Sequence, residues 1–119
     1  MRKTVKKTVK AGMVGGLMSM MMVSSVFAAT QSLNGGKATW SGGENTDGIL
    51  YSKLIDNVND GLRYKACVWV RNDMGQYNQK TRTTTGVGKN GQVKVTIAAT
   101  HKNPLKTEKA GYKEFQVVK

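Results

Sequence analysis

The decisive stretch is Leu62 to Arg71, LRYKACVWVR, which alternates without a break. Leu62, Tyr64, Ala66, Val68 and Val70 fall on one side, and Arg63, Lys65, Cys67, Trp69 and Arg71 on the other. Successive side chains of a strand point to opposite faces, so this period predicts a half-buried β-strand with one apolar and one basic-aromatic face. At roughly 3.3 Å per residue it reaches about 33 Å, long for a small domain. Turn signals bracket it, Asn59-Asp60-Gly61 before and Asn72-Asp73-Met74-Gly75 after, which places it in an antiparallel sheet.

Upstream, Ile49, Tyr51, Lys53 and Ile55 alternate against Leu50, Ser52 and Leu54. A helix is the competing reading, but no period of 3.6 continues through Asp56 to Gly61. A short strand around Lys37 to Trp40 precedes it, followed by Ser41-Gly42-Gly43 and a loop by composition from Glu44 to Gly48. Downstream, Gln76 to Thr85 is rich in threonine, whose branched side chain suits a pleated sheet. Gly86, Gly88 and Asn90-Gly91 end it, and Asn-Gly is a hairpin signal because both central positions of a type I′ turn need positive φ. Val93, Val95, Ile97 and Ala99 alternate next. His101 to Lys109 is a polar connection, and Ala110 to Val118 closes the chain. Alternation fails between Tyr112 and Phe115, which predicts a bulge. Six short strands separated by turns indicate an all-β sandwich or barrel.

The first 28 residues read differently. Arg2, Lys3, Lys6, Lys7 and Lys10 lead an uncharged run that ends in Val26-Phe27-Ala28-Ala29. This is the three-part pattern of a secretory signal, with cleavage expected after Ala28 or, second, after Ala29. A retained anchor is the rival, but a spanning helix needs about 20 predominantly apolar residues, and this run is interrupted by glycine and serine. The resulting organisation is a signal over 1–28, a flexible lead over 29–39 and a β domain over 40–119. Five of the 19 basic residues belong to the signal, leaving 14 against seven acidic ones, a formal +7. A basic secreted protein favours anionic partners such as wall polymers, acidic headgroups or phosphate-bearing precursors. Nucleic acid is set aside because export separates the two. Simple solubility is the competing explanation of the charge.

Catalytic and metal chemistry find little to build on. Cys67 is the single cysteine, so no intrachain disulfide forms; a strand cysteine is read as a small buried hydrophobe, with an intermolecular bridge as the alternative. A nucleophilic pair would have to use Cys67 and His101, the only histidine. Zinc needs three or four suitable ligands, and Asp56 and Asp60 flank a turn and read as turn formers. No enzyme, metal or cofactor is expected. The candidate ligand-contacting residues are Trp40, Arg63, Lys65, Trp69 and Arg71. Trp69 and Arg71 share a face, close enough for a cation–π contact, and with Arg63 and Lys65 can engage a pyrophosphate while an aromatic covers a sugar or isoprenoid. The other reading of this face is that its charges keep a sheet soluble and discourage edge pairing.

Taken in order, Trp40-Ser41-Gly42-Gly43, Tyr51-Ser52, Ala66-Cys67-Val68, Asn72 to Gly75, Lys80 to Gly86, Leu105, Thr107 to Ala110 and Tyr112 form a recognisable series. Behind a signal sequence, the chain resembles the lactococcin 972 family of bacteriocins over most of residues 37–115. The resemblance implies a β-sandwich of two three-stranded antiparallel sheets. It also implies a secreted antibacterial that binds the wall precursor lipid II and blocks septum synthesis in related Gram-positive bacteria without forming pores. Association as a homodimer is a further family expectation, and from the basic charge any membrane contact is expected at the surface only. Two stretches depart from the family pattern: Lys53 to Arg63 stands where histidines are expected, and Gln116-Val117-Val118-Lys119 where the C-terminus is aromatic. A wall-associated binding protein without killing activity is the alternative function.

Overall fold

A computed structural model describes residues 21–24 and 28–119. Eight strands are present among them: β1 (Met21–Ser24), β2 (Ala29–Leu33), β3 (Ala38–Glu44), β4 (Ile49–Asp56), β5 (Arg63–Arg71), β6 (Tyr77–Thr83), β7 (Val93–Ala98) and β8 (Lys109–Val118). They form two antiparallel sheets, in the orders β1-β8-β5-β6 and β2-β3-β4-β7, and no α-helix occurs among the described residues. The two sheets face each other across one core, to which β3, β4 and β7 contribute from one side and β5 and β8 from the other.

All six strands expected from the sequence are present, but the sheets are not three-stranded. Ala29–Leu33 pairs with Ala38–Gly42 and widens the second sheet to four strands. The stretch 29–39 is therefore not a flexible lead: a 3₁₀ turn over Asn34–Gly36 folds it back on β3, and Leu33 is buried. In the first sheet, β1 adds a fourth strand beside β8, with Met22 opposite Gly111. The export segment otherwise lies outside the described residues, including the expected signal helix.

The central strand obeys its alternation and goes further. Tyr64, Ala66, Val68 and Val70 line the core, yet Cys67 and Trp69 on the opposite face are also buried. Half-burial thus gives way to near-complete burial in the middle of β5, because β6 and β8 flank it on both edges. The Asn72–Gln76 turn joins β5 to β6, with the Asn72 carboxamide oxygen accepting from the amides of Met74 and Gln76 and Gly75 at φ +82°. Positive φ is cheap only for glycine, which fixes that residue in the turn.

The bulge falls where alternation breaks. Cys67 pairs with Lys113 and Lys65 with Gln116, so two residues of β8 stand against Ala66 alone. Glu114 takes φ +60°, and the extra residue returns Phe115 to the core side three positions after Tyr112. Phe115 then stacks on Tyr64, ring centroids 5.8 Å apart. Asn90-Gly91 makes no hairpin. It sits in a 3₁₀ turn within the crossover from β6 in one sheet to β7 in the other. A Cβ on Gly91 would meet the backbone of Gly86, its carbonyl carbon at 2.6 Å, so glycine serves close chain approach there.

A polar relay crosses the core. Trp40, fully buried on β3, donates its indole N–H to the Ser52 hydroxyl of β4 at 2.8 Å, and Ser52 donates to the Gly111 carbonyl of β8 at 2.6 Å. The indole lies over Gly42, where a Cβ would come within 2.7 Å of its Cη2 and 3.1 Å of the Ala110 Cβ. Ser52→Ala removes the acceptor of one buried group and the donor to another, so it is expected to cost about 1–3 kcal/mol. Gly42→Ala, by overpacking, is expected to cost a similar ~1–3 kcal/mol. Urea unfolding checks both, with Ser41→Ala on the opposite face of β3 expected to change little.

Candidate functional site

The outward residues of β5 extend across its two neighbours by register. Arg71 lies opposite Lys109 and Tyr77, Trp69 opposite Gly111 and Gln79, Cys67 opposite Lys113 and Thr81, Lys65 opposite Gln116 and Thr83, and Arg63 opposite Val118. Directly paired residues share a face. Arg63, Lys65, Arg71, Lys109 and Lys113 therefore stand on one surface, and none of these paired positions is occupied by a carboxylate.

At its centre Trp69 and Tyr77 stack, centroids 6.1 Å apart with planes at 23°. The Arg71 guanidinium carbon lies 5.2 Å above the Tyr77 ring, close enough for a cation–π contact. The aromatic partner of Arg71 is thus Tyr77 across the hairpin, and not Trp69 along the strand. Trp69 is 6% exposed, and its indole nitrogen has no hydrogen-bond partner among the described residues. An unsatisfied buried donor is uncommon and calls for an explanation. Beside it the Cys67 thiol donates to the side-chain oxygen Oε1 of Gln79 at 3.4 Å, which gives this cysteine the buried, structural role.

Five carboxylates lie elsewhere and are engaged, while Asp47 is exposed on the turn between β3 and β4 and Glu114 is exposed at the β8 bulge beside Lys113. Fully buried Asp56 pairs with Arg63 at 3.3 Å and accepts the Val58 amide, while Asp60 accepts the Leu62 amide, so both act as turn formers. Glu44 holds the His101 ring nitrogen at 2.7 Å, and this hydrogen bond, against a smaller opposing effect of desolvation, raises the imidazole above its usual range. Asp73 and Glu108 clamp the loop between β7 and β8. Burial works to raise the Asp73 carboxyl, but donation from the Asn103 amide, the Thr100 hydroxyl and the Lys102 amide outweighs it and leaves it at about 2. Burial pushes the Glu108 carboxyl up, against the Thr100 amide that favours its charge. A pocket of about 250 Å³ opens at this loop, lined by Asp73, Glu108 and His101 with Lys102 and Lys106. Among the described residues no group of three or more acidic, histidine or cysteine side chains is placed to hold a metal. Cys67 and His101 are directed to Gln79 and Glu44 respectively, not to each other.

Of the five expected contact residues, the structure brings Arg63, Lys65, Trp69 and Arg71 onto one face. Trp40 is excluded from it: the ring is 0% exposed, in the core between the sheets, with its N–H committed to Ser52. Arg63 is partly engaged, since it donates to Asp56 and to the Leu62 carbonyl at 2.9 Å. Sequence reading missed Tyr77, Lys109 and Lys113. A signal for the lysines exists, because Lys109, Gly111 and Lys113 alternate with Ala110 and Tyr112 just as the two faces of β5 do.

Comparison with protein-family models, with curated proteins and with solved structures finds no match to the chain.

The His101–Glu44 pair has a definite pH sign. Because the folded imidazole is raised, the stabilisation is complete below the unfolded histidine value and is lost as pH rises through the folded one. The ring resonances of His101 are expected to titrate above 6.5, and the midpoint is expected to fall in Glu44→Gln. An NMR titration of the two proteins checks this.

Proposed function

We propose that this chain is an exported antibacterial protein of the lactococcin 972 type. On this reading it binds the pyrophosphate-bearing precursor lipid II with the outer face of β8, β5 and β6. It thereby stops septum synthesis in related Gram-positive bacteria without forming pores. The observation that carries the reading is the excess of cations on that face: Arg71, Lys109, Lys113 and Lys65 stand around an aromatic stack with no carboxylate at any paired position, and Glu114 of the β8 bulge is the exposed acid beside them.

The chemistry follows from those groups. A pyrophosphate needs donors that are not already neutralised, and Lys65, Lys109, Lys113 and Arg71 face it without an acidic neighbour in register. Arg71 is held over Tyr77, so less rotamer freedom is lost when its planar fork closes on phosphate oxygens. The Tyr77 ring, exposed and backed by buried Trp69, offers an apolar platform for a sugar or prenyl group. The export-type N-terminus puts the protein where such precursors are exposed. Family resemblance, basic charge and face geometry converge on the same ligand class.

The test adds purified protein, as it accumulates outside the cell, to growing Gram-positive relatives with and without excess lipid II. Septal arrest relieved by lipid II is the expected outcome. No arrest across a broad panel, from a folded protein, would favour the wall-associated binder without killing activity. For the face itself, Arg71→Glu with Lys113→Glu is expected to weaken lipid II binding tenfold or more, about 1.4 kcal/mol, with the unfolding midpoint preserved. Arg63→Glu is expected to lower that midpoint instead, because it sets a second carboxylate against fully buried Asp56. Unchanged affinity in the Arg71/Lys113 variant would remove this face from the proposal.

A further inference from the structure

One end of the sandwich is built from the Asn72–Gln76 turn and the loop between β7 and β8. It carries the two most exposed large apolar side chains of the described residues, Leu105 at 88% and Met74 at 55%. Neither sits on a slack tip. The Asn103 amide donates to Asp73 at 2.6 Å and the Thr100 hydroxyl also donates to Asp73; the amides of Asp73 and Thr100 each donate to Glu108 at 3.1 Å. The Leu105 amide in turn donates to the Asn103 side chain at 3.0 Å. The loop is therefore fastened to the β5–β6 turn by buried carboxylates while it holds a leucine in water.

Cations share this end with these two side chains. Lys102 and Lys106 flank Leu105 on its own loop, both exposed, and Arg71 and Lys109 stand at the foot of the two loops, opposite each other in register. The carboxylates at this end are withdrawn: Asp73 and Glu108 are buried, and Glu44 is paired with His101. Asp47 is the exposed exception, on the turn between β3 and β4. A pair of exposed apolar side chains on one end with lysines and an arginine suits an interfacial anchor, the apolar groups entering the headgroup–acyl boundary and the cations meeting anionic headgroups. A second copy of the chain suits this surface poorly, because two such basic ends would repel.

We infer that this end of the protein docks on an anionic lipid bilayer, with Leu105 and Met74 inserted and Lys102 and Lys106 on the headgroup phosphates. The docking goes beyond recognition of a wall precursor, since any bilayer of sufficient negative charge satisfies it. It also orients the basic face: Arg71 and Lys109 come to headgroup level, where a membrane-embedded pyrophosphate lies.

The test uses the purified protein and vesicles that contain no lipid II, so its failure is distinct from failure of precursor binding. Co-sedimentation at low salt is expected with vesicles of equal phosphatidylglycerol and phosphatidylcholine and not with phosphatidylcholine alone. Leu105→Ser with Met74→Ser is expected to reduce that binding at least tenfold, and Lys102→Gln with Lys106→Gln to reduce it and flatten its salt dependence. Both serine sites are exposed, so the unfolding midpoint should hold and serves as the control. As an independent readout, the added fluorescence of Leu105→Trp should be quenched by phosphatidylglycerol brominated in its chains. Absence of binding to either vesicle, full binding by the serine variant, or an unquenched tryptophan would each overturn the proposal. Loss of self-association in the serine variant without vesicle binding would overturn it in favour of a second copy.

Discussion

The two sheets are registered on each other by one buried tryptophan. Trp40 has a large ring to bury and an indole N–H that must find a partner away from water. Ser52 meets that need and donates its own hydroxyl hydrogen to a bond with the Gly111 carbonyl on the opposite sheet. The relay therefore joins β3, β4 and β8, and it constrains rotation and slippage in a way that apolar contacts alone do not. Space for the ring comes from Gly42, two residues on and on the same face, so the Trp-Ser-Gly order is a packing requirement. Tyr112 packs against the same indole at 5.5 Å, which brings β8 into the contact from its inner face.

The inner face of β8 in turn determines its outer one. Tyr112 and Phe115 both reach the core only because the Glu114 bulge inserts a residue between them. Before the bulge, Lys109, Gly111 and Lys113 are turned outward beside β5; without it, the remainder of the strand would reverse its faces.

Much of this was legible from residue order. Unbroken alternation in β5 and the broken alternation in β8 each announced a physical fact, a two-faced strand and a bulge. The strand Ala29–Leu33 was not legible, because it is polar apart from its ends and buries Leu33 alone deeply; what holds it is backbone pairing with β3. Asn90-Gly91 carried a genuine turn preference, but whether a turn closes a hairpin or a crossover depends on which sheet the next strand joins. Trp40 looked like a ligand contact because a tryptophan followed by Ser41-Gly42-Gly43 reads the same whether it faces solvent or core. For Arg71, the nearest aromatic along the chain was Trp69, while the true partner became apparent only with the β5–β6 register that sets Tyr77 opposite it.

Charge segregation links the face to the end of the sandwich. A chain carrying seven carboxylates and 14 cations beyond its export segment could have scattered them in surface pairs. Four of the seven are placed otherwise: Asp56, Asp73 and Glu108 are buried, fastening loops and turns through backbone amides and one arginine, and Glu44 is tied to the histidine, while Asp60 meets Lys37 at 3.8 Å and Asp47 and Glu114 are exposed. Each carboxylate so placed acts at a chain reversal and leaves Glu114, exposed at the β8 bulge, as the counter-charge on the described part of the outer sheet. The positive potential of the face is therefore a consequence of how the loops are held as well as of how many lysines the chain contains. Potential of one sign over a low-dielectric aromatic surface attracts anions from beyond contact range. Because the loop clamped by Asp73 and Glu108 also presents Leu105, the same buried carboxylates that free the face of opposing charge support the apolar edge beside it.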